Sequence, residues 1–139
     1  MKTTITNILN QYDFISFALL FGSYANNKAN ELSDIDIAVY ISKDIDIFTQ
    51  GNIIATLESE LSKKIDLLIL NELYKSNAKI CFNILNNHKL LFCKDKKNYL
   101  SFKENTLKYY FDISYMYDMF DNSLKKRLAD GTYGKTKAS

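Results

Sequence analysis

Residues 22–40 read GSYANNKANELSDIDIAVY, and this stretch decides both the fold and the candidate site. It follows an apolar run over residues 14–22 that is typical of a buried central strand. Apolar and other side chains alternate over residues 34–41, which predicts a second strand. Asp34 and Asp36 would then share one face of that strand, about 6–7 Å apart along it, because side chains two positions apart point the same way. Two carboxylates at this spacing can bind metal ions together.

The tetrapeptide DIDI occurs a second time, at residues 44–47. This copy leads into a helical pattern over residues 46–62. An aspartate at the start of a helix accepts hydrogen bonds from free backbone N–H groups, and its charge favours the helix dipole. We therefore predict that Asp44 and Asp46 begin a helix, and that the first copy carries the chemistry.

Three further residues accompany the first copy. Gly22 lets the backbone approach a bulky anion, and Ser23 offers a hydroxyl and an amide where a helical turn is expected, a combination suited to phosphate. Asp66 interrupts an apolar strand over residues 64–70, which is unusual unless it faces a site. Three carboxylates in one place must take up protons or bind a divalent cation, and oxygen ligands favour magnesium or manganese. A phosphate cradle beside such a trio indicates nucleotidyl transfer, in which two metal ions stabilise the attacking and leaving oxygens.

The rest of the pattern predicts alternating helices and strands. Helices are predicted over 2–12, 46–62, 72–87 and from Asp95 or Lys96 to 128, and strands over 14–22, 34–41, 64–70 and 89–94, with a helical turn after Gly22. This order describes an α/β or α+β sheet domain with a helical tail. We divide the chain into a core over residues 1–95, a C-terminal helix over residues 96–128 and a flexible tail over residues 129–139.

Composition excludes several other classes of protein. A chain of 139 residues with a formal net charge of +2 is expected to form one globular domain. The single histidine, His88, and the two cysteines, Cys81 and Cys93, do not provide a usual zinc site, so we expect free thiols and a turn position for His88. No apolar run reaches the ~20 residues of a membrane span and no secretory signal is recognisable, so we expect a cytoplasmic protein without a membrane partner. The short basic run at residues 125–127 does not predict direct binding to nucleic acid.

The stretch GSYANNKANELSDIDIAVY, together with Asp66, resembles the signature of the DNA polymerase beta-like nucleotidyltransferase superfamily. That signature is Gly-Ser, ten residues, Asp-x-Asp, and a third Asp on a later strand, and the resemblance covers about residues 14–94. The compact size is similar to that of the minimal nucleotidyltransferases, especially the MNT-domain antitoxins that are paired with HEPN-domain ribonuclease toxins. The resemblance implies a nucleotidyltransferase-fold mixed sheet flanked by helices. It also implies transfer of AMP from ATP to a tyrosine of the partner toxin, which silences the toxin.

The resemblance further implies roles for individual residues. Gly22 and Ser23 would bind the triphosphate of ATP. Asp34 and Asp36 would hold both of two magnesium ions. Asp66 would bind one of the ions and help to deprotonate the attacking hydroxyl.

One part of the motif departs from the family pattern. Relatives commonly place Arg-Gly shortly after the Gly-Ser pair, where this chain has Asn26 and Asn27. Lys28 could replace the arginine as a point charge near the triphosphate, but a solvated position in the loop is the simpler expectation for it.

Two other functions stay open from the sequence. One is adenylyl transfer to a small molecule, as in aminoglycoside-modifying relatives, although these usually carry a sizeable substrate domain after the catalytic one. The other is neutralisation of a toxin by contact alone, although a pure binding module has no need of three carboxylates.

The predicted C-terminal helix carries more apolar side chains than one packed face can use. A helical stripe predicts packing on the sheet and comprises Leu100, Leu107, Tyr110, Ile113, Tyr117, Phe120, Leu124 and Leu128. A second group lies around that stripe and comprises Tyr99, Tyr109, Phe111, Tyr115 and Met116. Because one helix cannot turn both groups to one core, we expect a protein–protein interface here.

Overall fold

A computed structural model describes residues 1–30 and 32–129 of the chain, and for positions 114, 117, 120 and 123–129 it describes the backbone only. The helices are α1 (Lys2–Asn10), α2 (Ile47–Leu61), α3 (Leu73–Ser76), α4 (Ala78–Asn86) and α5 (Lys96–Ala129), with a short 3-10 helix at Gly22–Tyr24. The strands are β1 (Ile15–Phe21), β2 (Ile35–Ile41), β3 (Ile65–Ile69) and β4 (His88–Cys93). Apart from Ala129, the predicted tail lies outside the described residues.

The four strands form one mixed sheet in the order β3-β2-β1-β4. β1 pairs antiparallel with both β2 and β4, whereas β2 and β3 run parallel and are joined through α2. A parallel pair needs such a crossover connection, because a tight turn can join only antiparallel neighbours. The predicted fold class, a mixed sheet flanked by helices with a long C-terminal helix, is confirmed.

Both faces of the sheet are covered, and β1 is buried over almost its whole length. One face packs against α1 and α2 through a cluster that includes Ile5, Leu9, Ile35, Ile37, Ile53 and Leu57. The other packs against the later helices through Phe17, Leu19, Ala38, Leu70, Cys81, Ile84 and Phe102. This second face is the one that carries Asp36 at its end, because Asp36 alternates in phase with Ala38 along β2.

The single helix predicted over residues 72–87 is wrong, because the structure contains two helices there. The chain leaves helical geometry at Asn77, where φ is −148° and ψ is 73°. The side chain of Asn77 accepts a hydrogen bond from the backbone N–H of Ile80, 3.2 Å away, and so caps α4. Asparagine bonds readily to nearby backbone groups, which makes it a poor interior residue and a good cap.

The first turns of α5 pack on the core, but not through the predicted stripe. Phe102 and Thr106 are buried, whereas Leu100 and Leu107 of that stripe are 54% and 38% exposed. Further along, Tyr110 stacks on Phe82 of α4 with ring centroids 3.9 Å apart. Over the first turns the buried face is therefore rotated from the predicted one, because it follows the position of α3 and α4, whereas Tyr110 of the predicted stripe does pack on α4.

Cys81 and Cys93 are free thiols, as predicted. Burial raises the pKa of Cys81 to about 11, so this thiol stays protonated and unreactive at neutral pH. Among the described residues, no helix has both the length and the apolar character that a membrane span requires.

Candidate active site

Four residues on neighbouring strands form a row across one end of the sheet: Asp66, Asp36, Phe21 and His88. Asp36 pairs with Asp66 on one side and with Phe21 on the other, and Phe21 pairs with His88. Residues paired in this way point to the same face of a sheet. The parallel pairing of β2 with β3 therefore places Asp36 and Asp66 side by side, which is the proximity that the sequence predicts.

Asp34 is near this row but not on the strand. β2 begins at Ile35, so the prediction that Asp34 opens the strand is wrong by one residue. Asp34 and Asp66 are exposed, whereas Asp36 is half-buried. The pKa of Asp36 is raised, first by burial and then by the negative charges of Asp66 and Asp34. The three carboxylates thus act electrostatically on one another.

The three carboxylates do not converge on one point. Within residues 1–30 and 32–129, no group of three acidic, histidine or cysteine side chains is close enough together to hold a metal ion as it stands. Like charges favour such separation, because bringing two carboxylates to about 4 Å costs ~4 kcal/mol at an effective dielectric constant of 20. The backbone of the site is arranged by the sheet, and the carboxylate oxygens remain apart.

Gly22 lies directly against Asp36. Its φ is +71°, a conformation that glycine adopts without strain. A Cβ atom at this position would overlap Oδ2 of Asp36 and would lie 3.1 Å from its Cγ. Only glycine therefore fits between the turn and the carboxylate. The backbone of the turn stays close to Asp36 and Asp66, which we call the acidic row.

The 3-10 helix that begins at Gly22 forms a compact turn. The backbone N–H groups of Ala25 and Asn26 donate to the carbonyl of Gly22, and that of Lys28 donates to the carbonyl of Ser23, 3.0 Å away. Ser23 is half-buried in this turn. Its position places a hydroxyl next to Gly22, as the sequence predicts for a phosphate cradle.

Lys28 occupies the solvated position that the sequence favours for it. Its side chain is exposed, and no contact with the described residues holds it at the turn. Lys89 instead donates to Oδ1 of Asn27, 3.1 Å away, and so fastens β4 to this loop. Sequence reasoning missed Lys89, because no local signal joins two residues that are 62 positions apart.

His88 was also missed, because it begins β4 and does not occupy a turn. Its Nδ1 lies 2.8 Å from the carbonyl of Ile84, and its Nε2 lies 2.8 Å from Oη of Tyr99. Since a carbonyl only accepts, Nδ1 carries the proton and Nε2 accepts from the tyrosine hydroxyl. His88 therefore joins α4, β4 and α5 beside the acidic row.

The second DIDI copy has a different environment. Asp46 is the N-cap of α2, and its Oδ1 accepts from the backbone N–H of Thr49, 2.7 Å away. This hydrogen bond holds the pKa of Asp46 below its ordinary value. Asp44 is exposed two residues earlier and makes no hydrogen bond within the described part of the chain. The predicted capping role is confirmed for Asp46.

The sequence matches the family described as polymerase beta, nucleotidyltransferase over residues 3–97. The chain belongs to this nucleotidyltransferase family. Two curated relatives come from Methanocaldococcus jannaschii. MJ0141, a candidate protein adenylyltransferase, is 33% identical over 81 residues, which cover 58% of this chain and 79% of the relative. MJ0435, with the same description, is 37% identical over 57 residues, which cover 41% and 61%.

Solved structures show the same fold. A toxin–antitoxin structure with AMP-PNP contains a chain that superposes with a TM-score of 0.72 at 22% identity, covering 89% of this chain and 98% of that one. A complex of a tri-AMPylated Shewanella oneidensis HEPN toxin with its MNT antitoxin gives a TM-score of 0.64 at 20% identity, covering 90% and 99%. These superpositions confirm the predicted fold, and the family match over residues 3–97 confirms the predicted superfamily.

Proposed function

We propose that this protein is an antitoxin that transfers AMP from ATP to a tyrosine of a HEPN-family ribonuclease toxin and so neutralises it. The observation that carries the proposal is the position of Asp36, between Asp66 on the neighbouring strand and Gly22 on the turn. Membership of the nucleotidyltransferase family and the similarity to candidate protein adenylyltransferases support it.

Asp34, Asp36 and Asp66 are proposed to hold two magnesium ions. The donor set fits, because all three residues supply hard carboxylate oxygens. The raised pKa of Asp36 comes first from burial and then from the negative charges of Asp66 and Asp34, and a divalent cation would offset the charge part of this shift. Bound magnesium would balance the charge of the triphosphate and stabilise the attacking and leaving oxygens.

Gly22 and Ser23 are proposed to bind the triphosphate through the backbone N–H groups and the hydroxyl of the turn. The absence of a side chain at Gly22 lets a phosphate come close to the backbone beside Asp36. Lys28 is proposed to contribute only a loosely placed positive charge, because its side chain is exposed and makes no hydrogen bond or ion pair with the described residues.

Asp66 is proposed to accept the proton of the attacking tyrosine. A tyrosine hydroxyl has a pKa of about 10 and needs a base at neutral pH. Asp66 is exposed beside Asp36, so the side chain of another protein can reach it. The tyrosine oxygen forms a bond to the α-phosphorus, and the bond from that phosphorus to the oxygen bridging the β-phosphate breaks. Pyrophosphate leaves, and the proton passes through Asp66 to solvent.

The outer part of α5 is proposed to contact the toxin. Phe111, Tyr115, Met116 and Met119 are each more than half exposed along this helix. Exposed apolar groups of this kind commonly mark protein–protein contacts. The proposed contact lies beyond the segment of α5 that packs on the core, so binding the partner does not require unpacking the sheet.

Intact-mass spectrometry tests the transfer. We expect the protein, incubated with magnesium, ATP and the protein encoded by the neighbouring gene, to add to that neighbour one or more units of AMP less water and to release pyrophosphate. Asp66→Asn should slow this transfer by roughly 10²–10⁴-fold. A toxin that is inhibited at equal stoichiometry without any mass change would contradict the proposal and support neutralisation by contact. Labelling of a small molecule alone would favour the aminoglycoside-type alternative.

A further inference from the structure

A cavity of about 170 Å³ opens between the Gly22 turn and α4, on the same side of the sheet as Asp36. Its lining residues are Phe21, Gly22, Asn26, Ile80, Asn83, Ile84 and Asn87. Gly22 borders both this cavity and the carboxylate of Asp36. A ligand bound at the turn can therefore reach the cavity and the acidic row at the same time.

The wall formed by α4 has a regular composition. Ile80, Asn83 and Ile84 are spaced i, i+3 and i+4, so they lie on one side of the helix, and Asn87 follows directly after its last residue. Two of these residues are apolar and two carry amides. The cavity thus combines an apolar floor with hydrogen-bonding groups at its edge, which is the usual composition of a small-molecule site.

The uncharged lining of the cavity favours a neutral ring over a phosphate as its occupant. No acidic or basic side chain lines the cavity, and the apolar part comes from Phe21, Ile80 and Ile84. A triphosphate is stabilised by cations or by clustered backbone N–H groups, whereas a neutral heteroaromatic ring is stabilised by apolar contacts and amides. The volume is also smaller than the ~300–1,000 Å³ that encloses a drug-sized ligand, so the cavity suits one ring system of a nucleotide.

The amides at the cavity differ from two other asparagines whose side chains are hydrogen-bonded across the core. Asn71 bonds twice to the backbone of Ile41, and Asn98 bonds to Ser16. In contrast, the side chains of Asn26, Asn83 and Asn87 make no hydrogen bond to any described residue. Their donors and acceptors are available to a ligand.

We propose that this cavity holds the adenine base of ATP, with Asn83 and Asn87 as its hydrogen-bonding residues. An asparagine amide can accept from N6 and donate to N7 of adenine at once, whereas guanine presents acceptors at both corresponding positions. This inference rests on the proposed function and extends it, because it names the residues that would select ATP over GTP.

Equilibrium titrations of the full chain with magnesium present test the proposal. The probes are ATP, GTP and inorganic tripolyphosphate, and the variant is Asn83→Ala with Asn87→Ala. We expect the variant to bind ATP roughly ten-fold more weakly, as the loss of two hydrogen bonds predicts, to lose most of its preference for ATP over GTP, and to bind tripolyphosphate as before. Asn86→Ala, which changes an exposed residue of α4 outside the cavity, should leave all three affinities unchanged.

A second variant, Asn83→Phe, fills the mouth of the cavity and should weaken ATP without affecting tripolyphosphate; thermal melts check that each variant is folded. Equal weakening of ATP and tripolyphosphate would show that the cavity holds phosphate and would overturn the proposal. Unchanged ATP affinity in both variants would also overturn it, while leaving the nucleotidyltransferase function intact. A wild-type chain that binds neither ATP nor tripolyphosphate would contradict the proposed function itself.

Discussion

The two DIDI segments have the same four residues and opposite environments. In the first, Asp36 lies between Asp66 and Gly22, and burial together with the charges of Asp66 and Asp34 raises its pKa. In the second, Asp46 accepts a hydrogen bond from a free backbone N–H group of α2, which lowers its pKa. The first environment disfavours the negative charge of the carboxylate, and the second stabilises it.

This difference separates a functional carboxylate from a structural one. A residue that contributes to stability has its charge compensated within the fold. A residue that binds a cation or a substrate has a charge without a partner in the fold, and this lowers the stability of the protein. Direct comparison of the two segments is possible because their amino acids are identical.

The largest difference between the two segments should appear in activity. We expect Asp34→Asn with Asp36→Asn to reduce AMP transfer by roughly 10³-fold or more, because the oxygens that bind the metal lose their charge. The matched control, Asp44→Asn with Asp46→Asn, should stay within about two-fold of the wild type, since asparagine caps a helix nearly as well as aspartate. The measurement is pyrophosphate release with ATP and the toxin. Comparable losses in both folded pairs would remove the distinction between the segments.

The glycines near the two segments should also respond differently. Gly22→Ala is expected to lower the free energy of unfolding by about 1–2 kcal/mol and to displace Asp36, because the new Cβ meets its carboxylate at a positive φ. Gly51→Ala in α2 meets nothing within 4 Å and should raise stability by about 0.5–1 kcal/mol. Urea unfolding and ATP titration of both variants check this. A Gly22→Ala protein with normal stability and ATP affinity would show that the close approach to Asp36 is unimportant.

The pH dependence of stability should have opposite signs at Asp36 and Asp46. The folded-state pKa of Asp36 is raised from 3.8, so the folded chain holds this proton more tightly than the unfolded chain, and its contribution to stability falls as pH rises from 3.8 through the folded value. At neutral pH, Asp36→Asn should therefore stabilise the protein in the absence of metal, by less than about 1 kcal/mol after solvent screening. The folded-state pKa of Asp46 is lowered, so its contribution is present above 3.8 and is lost as pH falls through the folded value.

Unfolding in EDTA across the acid range measures both effects. Added magnesium should stabilise the wild type more than Asp36→Asn, because the cation offsets the repulsion that the substitution has already removed. A destabilised Asp36→Asn protein at neutral pH would contradict the view that this carboxylate is held against its electrostatic preference.

The smallest effect should come from the cap itself. Asp46→Ala removes the acceptor for Thr49 and should lower the melting temperature by about 2–6 °C, whereas Asp46→Asn should lower it less. Neither change should alter AMP transfer. Differential scanning calorimetry with an activity assay tests this, and a loss of activity in Asp46→Ala alone would indicate that the start of α2 influences the site.

Much of the fold and part of the site could be predicted from the sequence because their signals are local. Alternation over residues 34–41 predicts a strand, and the position of Asp46 before a helical pattern predicts a cap. The spacing from Gly22-Ser23 to Asp34-x-Asp36 identifies the superfamily, since these residues are close along the chain.

Other features of the fold and the site depend on contacts between segments that are distant in sequence. The parallel register that pairs Asp36 with Asp66, the cavity between the Gly22 turn and α4, and the contact of Lys89 with Asn27 all arise from how separate elements pack. The buried face of the first turns of α5 was mispredicted for the same reason, because an apolar series does not show which of its sides meets a neighbour. Strand register and helix orientation are set by non-local hydrogen bonds and by the shared core, and a local pattern contains no information about either.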